Sequence, residues 1–310
     1  MERRSSMRSN KTAAYNMEED IPYELVRLGY ACNARCLFCN VECLPEERKS
    51  DDRILRDVMK AVLISGSRPG GRISISGGEP GLYRGLPSLI RLFRSKKVSK
   101  IEVQTNALCF ADRSLAALVA SAGATSAFVS LHSHSPGTHD FLTGVKGSYA
   151  RSLKGIDNLL SCGLEVVLNP VICSRNYRAA AKYMAFVSKR FPEIKYISLS
   201  VVQPRGRALK NGRIVPDYAL ISPYISDALS RADAEGLVIH NPICGLPLCV
   251  GGWHERADRS VEYSLSKLDR RRDVGKIYPD FCSVCSVKTV CGGVWPEYMD
   301  IHGVSGLKPV

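Results

Sequence analysis

The chain has 310 residues, 45% of them hydrophobic, and its 43 Lys and Arg against 30 Asp and Glu give a formal net charge of +13. That length suits one large domain with a small appendage, and the apolar content is ordinary for a globular core. No apolar run approaches the ~20 residues that cross a bilayer, and the basic, polar start MERRSSMRSNK has no apolar h-region, which excludes a secretory signal.

Residues 1–20 read as a disordered basic tail. Strand-like runs then fall at 24–30, 72–76, 100–105, 126–131, 164–171 and 195–201. Between the first two, Ile54, Leu55, Val58, Met59, Val62 and Leu63 recur at helical spacing, with Ser50 as N-cap and Asp51 and Asp52 in the first turn. Leu115, Leu118 and Val119 mark a further helix, Ile156, Leu159 and Leu160 another, and 177–189 the helix before the last strand. Strands alternating with helices predict an α/β fold with a parallel sheet and crossover helices. Periodicity alone does not separate an open doubly wound sheet from a curved partial barrel.

The polar residues gather at the strand ends. After the first strand comes CNARCLFC, with Cys32, Cys36 and Cys39 in a C-x3-C-x2-C run, and after the second comes Gly77-Gly78-Glu79-Pro80. Three thiolates can hold a [4Fe–4S] cluster by three of its irons and leave the fourth open. The glycines allow a backbone geometry and close approach that other residues resist. A zinc site or an oxidised pair is the alternative, but structural zinc usually takes four ligands in paired C-x2–4-C runs, which three clustered cysteines fit poorly.

With Phe38 before the third cysteine and GGEP matched outright, residues 22–205 resemble the radical S-adenosylmethionine (radical SAM) superfamily. The resemblance implies a partial (β/α)6 TIM-type barrel over 21–205, with its site at the C-terminal ends of the strands. It also implies a cluster that reduces S-adenosylmethionine to methionine and a 5′-deoxyadenosyl radical, which takes hydrogen from a substrate. The reductant would be a donor such as flavodoxin or ferredoxin. GGEP would meet the methionine amino group through backbone carbonyls and Glu79. The third strand ends in Gln104-Thr105-Asn106, similar to the family's T-N-G with Ala107 in place of Gly. Ser130 and Asn169, after the fourth and fifth strands, match positions that reach the cofactor's ribose or carboxylate, although each also reads as a turn or cap residue. The implied cofactor set is Phe38, Gly77, Gly78, Glu79, Pro80, Asn106, Ser130 and Asn169.

The loop HSHSPGTHDFLTGVKGSY follows the fourth strand. His132, His134 and His139 lie close together but match no ligand spacing, and the loop resembles one common in the superfamily. His132, nearest the strand end, is the histidine expected to face substrate, and Ser148 is expected to cap the next helix.

The remaining cysteine signal is C-terminal. Cys244 and Cys249 lie in PICGLPLC, and Cys282, Cys285 and Cys291 in FCSVCSVKTVC, spaced C-x2-C-x5-C. A four-cysteine zinc site is compatible with this spacing. The pattern also resembles the SPASM and twitch extensions that carry auxiliary [4Fe–4S] clusters, and 206–310 is read as such an extension. A full SPASM pattern has a further cysteine where this chain has Trp295. The resemblance therefore implies one auxiliary cluster on Cys282, Cys285 and Cys291, with Cys244 or Cys249 as fourth ligand. Cys43, Cys109, Cys162 and Cys173 carry no pattern and read as ordinary small buried residues. Cys43 or Cys109 would be a hydrogen donor only if the fold brought it to the barrel mouth. Twelve cysteines without a signal peptide point to a reducing cytoplasm.

Basic residues concentrate at Arg205, Arg207, Lys210 and Arg213 after the sixth strand and at Arg270, Arg271 and Arg272. The first group would suit a substrate phosphate or carboxylate. Most of the charge reads as solvated surface, and with aromatics at 7% and no RNA-binding module a nucleic-acid partner is not expected. The expected substrate is a ribosomally made peptide or a small metabolite, with an RNA-modifying enzyme as a lesser alternative. The molybdenum-cofactor cyclase resembles the layout too, but the closing GVSGLKPV lacks its arginine-bearing glycine tail. An iron–sulfur electron carrier or assembly protein is the non-enzymatic alternative, and it has no use for GGEP.

Overall fold

Strand follows helix along most of the chain. The computed structural model describes residues 24–40, 51–66, 70–267 and 275–310. In order the elements are β1 (Glu24–Arg27), α1 (Asp51–Gly66), β2 (Arg72–Ser76), α2 (Leu86–Ser95), β3 (Lys100–Thr105), α3 (Arg113–Ala122), β4 (Ser126–Val129), α4 (Pro136–Thr143), α5 (Ser148–Ser161) and β5 (Glu165–Leu168). They continue with β6 (Val171–Ile172), α6 (Ala180–Arg190), β7 (Tyr196–Ser198), β8 (Ser200–Val201), α7 (Arg207–Lys210), α8 (Tyr218–Ala234), β9 (Val238–His240), α9 (Val261–Lys267) and α10 (Pro296–His302).

Seven strands form one sheet in the order β1-β2-β3-β4-β5-β7-β9. Every pairing is parallel. The strands lie in chain order across the sheet, with β6 and β8 set aside in a ladder of their own, so each return runs through a crossover helix and all the strands point their C-terminal ends the same way. Strand residues such as Ile73, Ile75, Ile101, Val103, Val129, Leu168, Ile197 and Ile239 are buried, as expected for parallel strands covered on both faces.

Two expected strands are shorter than their apolar runs. The run 164–171 breaks at Asn169-Pro170, where proline removes a ladder donor. The run 195–201 breaks because the ladder changes partners: Leu199 N–H donates to His240 O (2.9 Å), whereas Ser200 N–H donates to Pro170 O (3.2 Å). The severed ends pair as the small β6–β8 ladder. β9 joins the sheet beside β7, and α8 packs on α6, so the strand–helix alternation runs past residue 205.

The α1 stripe is wider than the face it buries. Val58 and Ala61 are buried, whereas Leu55, Met59 and Leu63 are exposed, because a helix lying on a sheet covers only the side it turns inward. The histidine loop contains helix α4, bracketed by Pro136 at its start and Gly144 in the left-handed region (φ 66°) at its end. Ser148 does not cap α5. The Asp140 carboxylate does, accepting from Gly147 N–H (2.6 Å), Tyr149 N–H (2.8 Å) and the Ser148 hydroxyl (2.9 Å). The expectations for residues 1–20, Ser50, Cys43 and Arg270–Arg272, and for the side chains of Asp51 and Asp52, lie outside the described residues. Among the described residues, no helix is long and apolar enough to cross a membrane.

Candidate active site

The loop after β1 carries Cys32, Cys36 and Cys39 across the C-terminal ends of the strands. Backbone bonds fix it on two sides: Arg35 N–H donates to Thr143 O (2.8 Å) and Leu37 N–H to Leu142 O (3.0 Å) on α4, while Arg207 N–H donates to Cys39 O (3.0 Å). Burial, with Cys39 and Cys32 close by, pushes the Cys36 thiol up to about 12. Burial raises Cys32 as well. Grouped thiols that resist ionisation unaided fit a site completed by a cationic metal group, which binds them as thiolates.

The Gly77–Pro80 turn docks directly against this loop. Gly78 N–H donates to Gly29 O and Glu79 N–H to Ala31 O, both at 2.8 Å. Gly77 has φ +141°, a conformation that side chains rarely adopt. The buried Glu79 carboxylate points behind the turn, where it accepts from the Thr105 hydroxyl (2.7 Å), Asn106 N–H (2.8 Å) and Gly81 N–H (2.9 Å). Burial raises its pKa in spite of those donors. Glu79 thus ties the end of β2 to the end of β3. Glu79→Ala orphans several buried donors and is expected to cost about 3 kcal/mol of stability, read by urea unfolding, with Glu79→Gln costing less.

A cavity of about 590 Å³ opens over these strand ends. It is lined by Cys32, Cys36, Phe38 and Cys39 from the cysteine loop, by Gly77 and Gly78, and by Asn106, Ser130, His132 and Asn169. Glu79 and Pro80 are not in its wall. Asn106 uses its amide to donate to Asn33 Oδ1 (2.7 Å) and to accept from Leu108 N–H (2.9 Å), which steadies the loop beside Cys32. Asn169 donates from Nδ2 to Ser198 O (2.8 Å) and to the Ser200 hydroxyl (2.7 Å). The His132 ring meets Phe38 edge-on at 5.0 Å between centroids. Burial, with His139 adjacent, lowers its pKa to about 3, so it is neutral at physiological pH. His134 and His139 are absent from the cavity wall. Of the basic residues after the sixth strand, Arg207 alone lines the cavity, while Arg205 stacks on Trp295 at 4.4 Å.

A radical SAM superfamily profile matches residues 26–186, the span that builds this loop, turn and cavity. The chain belongs to the radical SAM superfamily. A probable GTP 3′,8-cyclase of Sulfolobus acidocaldarius is 29% identical over 180 residues, covering 57% of this chain and 56% of that protein. One of Saccharolobus solfataricus is 29% identical over 162 residues, covering 51% and 50%. The chain therefore spans about half the length of the curated relatives it matches. Among solved structures, anSMEcpe with bound AdoMet superposes with a TM-score of 0.61 at 13% identity over 92% of each chain. Streptococcus suis SuiB bound to S-adenosylmethionine does so at 0.58 and 14% identity, over 92% of this chain and 75% of that one. These likenesses establish the fold, the partial TIM-type barrel of radical SAM proteins.

The C-terminal cysteines of this radical SAM chain divide into two places. Cys249, Cys282, Cys285 and Cys291 line one apolar cavity together with Tyr278, Val287 and Leu307. Burial raises the thiols of Cys249, Cys282 and Cys291, and each of the first two feels neighbouring cysteines of the set. Cys244 does not line that cavity, although Glu262 and Lys276 act on both it and Cys291. It lines the large cavity over the strand ends, with Sγ 3.1 Å from Ser200 Oγ. Trp295 is buried between the Arg205 guanidinium (4.4 Å from its ring centroid) and the Lys276 ammonium (5.3 Å). Cys109 lies beneath the Gly77–Pro80 turn, where a side chain on Gly81 would strike its Cβ, and it does not line the cavity.

Sequence reasoning did not place Ser200, Gln203 or Cys244 in this wall. They arrive through the partner change at Leu199 and the short strand β9, neither of which has a motif.

Proposed function

We propose that the chain is a radical SAM enzyme in which Cys32, Cys36 and Cys39 hold a [4Fe–4S] cluster whose open iron binds S-adenosylmethionine in the cavity above the strand ends. Reductive cleavage there would supply a 5′-deoxyadenosyl radical that takes hydrogen from a C–H bond of the substrate. The observation that carries this reading is the single cavity shared by the three-cysteine loop, the Gly77-Gly78 backbone and the side chains of Asn106, Ser130 and Asn169. Phe38 and His132 pack edge-on in one wall, where the phenyl ring and the neutral imidazole place no charge. An oxygen-sensitive cluster fed by a flavodoxin or ferredoxin calls for a reducing compartment, the cytoplasm.

A second [4Fe–4S] cluster is assigned to Cys249, Cys282, Cys285 and Cys291, within an extension that begins after β9. Four thiols lining one apolar cavity supply the ligand number of a fully ligated [4Fe–4S] cluster, and a four-cysteine zinc site is the alternative. Cys249→Ala is therefore expected to lower bound iron from about eight to about four atoms per chain, with Cys244→Ala leaving it unchanged. One zinc in place of four irons in the wild type would make the site structural.

The substrate is assigned as a small metabolite or a peptide. The relatives named probable GTP 3′,8-cyclases make GTP the first metabolite to test, and Arg207 in the cavity wall suits a phosphate or carboxylate. The similarly folded anSMEcpe holds a peptide beside AdoMet. The deciding experiment is anaerobic reconstitution followed by S-adenosylmethionine and dithionite, with 5′-deoxyadenosine measured with and without GTP or peptide. Intact clusters that never yield 5′-deoxyadenosine would leave an electron-transfer protein.

A further inference from the structure

Of the thiols that line the large cavity, Cys32, Cys36 and Cys39 belong to the cluster loop and Cys244 does not. Cys244 is also outside the cavity that gathers Cys249, Cys282, Cys285 and Cys291. It has been set into the cavity wall by a rigid local structure. The Asn241 side chain clasps Leu246 from both directions, donating to its carbonyl (2.8 Å) and accepting from its N–H (2.9 Å). Gly245 N–H closes a turn onto Pro242 O (2.7 Å), and Val201 N–H donates to Cys244 O (3.0 Å), which pins the residue against β8.

The thiol is oriented as well as placed. Asn169 donates to the Ser200 hydroxyl at 2.7 Å, and that hydroxyl lies 3.1 Å from Cys244 Sγ. The chain Asn169–Ser200–Cys244 fixes the direction of the sulfur from β5 to the loop after β9. The wall it occupies comes from the opposite end of the strand order from the cysteine loop that follows β1.

Chemistry narrows what such a group can do in a cavity where carbon radicals form. An S–H bond is weaker than a C–H bond, so a thiol gives its hydrogen atom to an alkyl radical. The O–H bonds of water and serine are stronger and do not. We propose, resting on the radical SAM reading above, that Cys244 is a hydrogen-atom donor to carbon radicals formed in this cavity. The S–H bond breaks and a C–H bond forms, leaving a sulfur radical that is oxidised by one electron. One electron from the flavodoxin or ferredoxin class of reductant and one proton from solvent restore the thiol. Balanced in this way, the enzyme can remove one hydrogen and return another, so the substrate class is one altered at a carbon centre without net oxidation, as in epimerisation.

The test needs no identified substrate. The full chain is reconstituted, freed of small thiols, moved into D2O and given S-adenosylmethionine and dithionite. The label in 5′-deoxyadenosine is then read by mass spectrometry, and iron and sulfide are counted before the cofactor is added. The wild type is expected to give 5′-deoxyadenosine carrying one deuterium, taken from the exchanged thiol. Cys244→Ala is expected to bind the same iron and sulfide, and whatever 5′-deoxyadenosine it forms should lack that label. Tyr30, which also lines the cavity, is the competing donor, and label lost in Tyr30→Phe but kept in Cys244→Ala would overturn the proposal. So would equal labelling in the wild type and Cys244→Ala, or iron lost from Cys244→Ala. No 5′-deoxyadenosine from any protein with its iron intact would overturn the radical reading itself, and this proposal with it.

Discussion

Replacing Cys32, Cys36 and Cys39 together with alanine is expected to abolish 5′-deoxyadenosine formation and to lower bound iron from about eight to about four atoms per chain. The loop itself should survive. Its backbone is held by Arg35, Leu37 and Arg207 N–H bonds that owe nothing to the thiols. The auxiliary set lies in a separate cavity, so its iron should stay. The loss is then one of cofactor and not of fold, and the check is iron analysis beside a thermal midpoint. A midpoint within a few degrees of the wild type, with the chemistry gone, would assign these cysteines to catalysis. A variant with four irons fewer that still made 5′-deoxyadenosine would move the chemistry to the C-terminal set.

What the sequence disclosed depended on how locally each feature is encoded. The cysteine loop and the glycine turn are contiguous words placed at strand ends, and the cavity is built around them. Helix α4 was missed: the segment read as a loop because its histidines draw attention to ligand chemistry, although Pro136 and Gly144 are ordinary start and stop signals. Ala107, which stands where the resemblance expects glycine, lies in the left-handed region with φ +63°. The turn is imposed there by Glu79, whose carboxylate holds Asn106 N–H and the Thr105 hydroxyl that in turn accepts from Ala107 N–H (2.9 Å). The division between Cys244 and Cys249 had no such local signal. The sequence left either of the two as the fourth ligand. Only the Asn241 clasp and the addition of β9 to the sheet send the first to one cavity and the second to another. Short strands such as β6, β8 and β9 have too few residues to show a period, so the wall they build was not readable.

Gly78→Ala should be nearly as damaging as removing the cluster ligands, by a different route. A Cβ built on Gly78 would sit 2.1 Å from Ala31 O and 2.6 Å from the carbonyl carbons of Tyr30 and Ala31. Those are backbone atoms of the chain entering the cysteine loop, and no rotamer change moves them aside. Either β2 withdraws from β1 and forfeits the Gly78–Gly29 and Glu79–Ala31 bonds, or the loop lifts and carries Cys32 with it. Overpacking against backbone costs at least the ~1–3 kcal/mol typical of core overfilling, and the loss of two backbone bonds adds to it. More important is where the displacement falls. A shift of about 1 Å at a reacting centre can cost roughly a hundredfold in rate, so 5′-deoxyadenosine formation should drop by at least that factor even in protein that still folds. Gly81→Ala supplies the contrast. Its Cβ would meet the Cys109 side chain at 2.7 Å, on the far side of the turn from the cavity, so its cost should appear in stability more than in cleavage. Measuring thermal midpoint, iron content and cleavage rate for the two variants separates these routes. Equal loss of cleavage in both would mean that the turn acts only through its overall fold, and not through the closeness with which Gly78 meets the cluster loop.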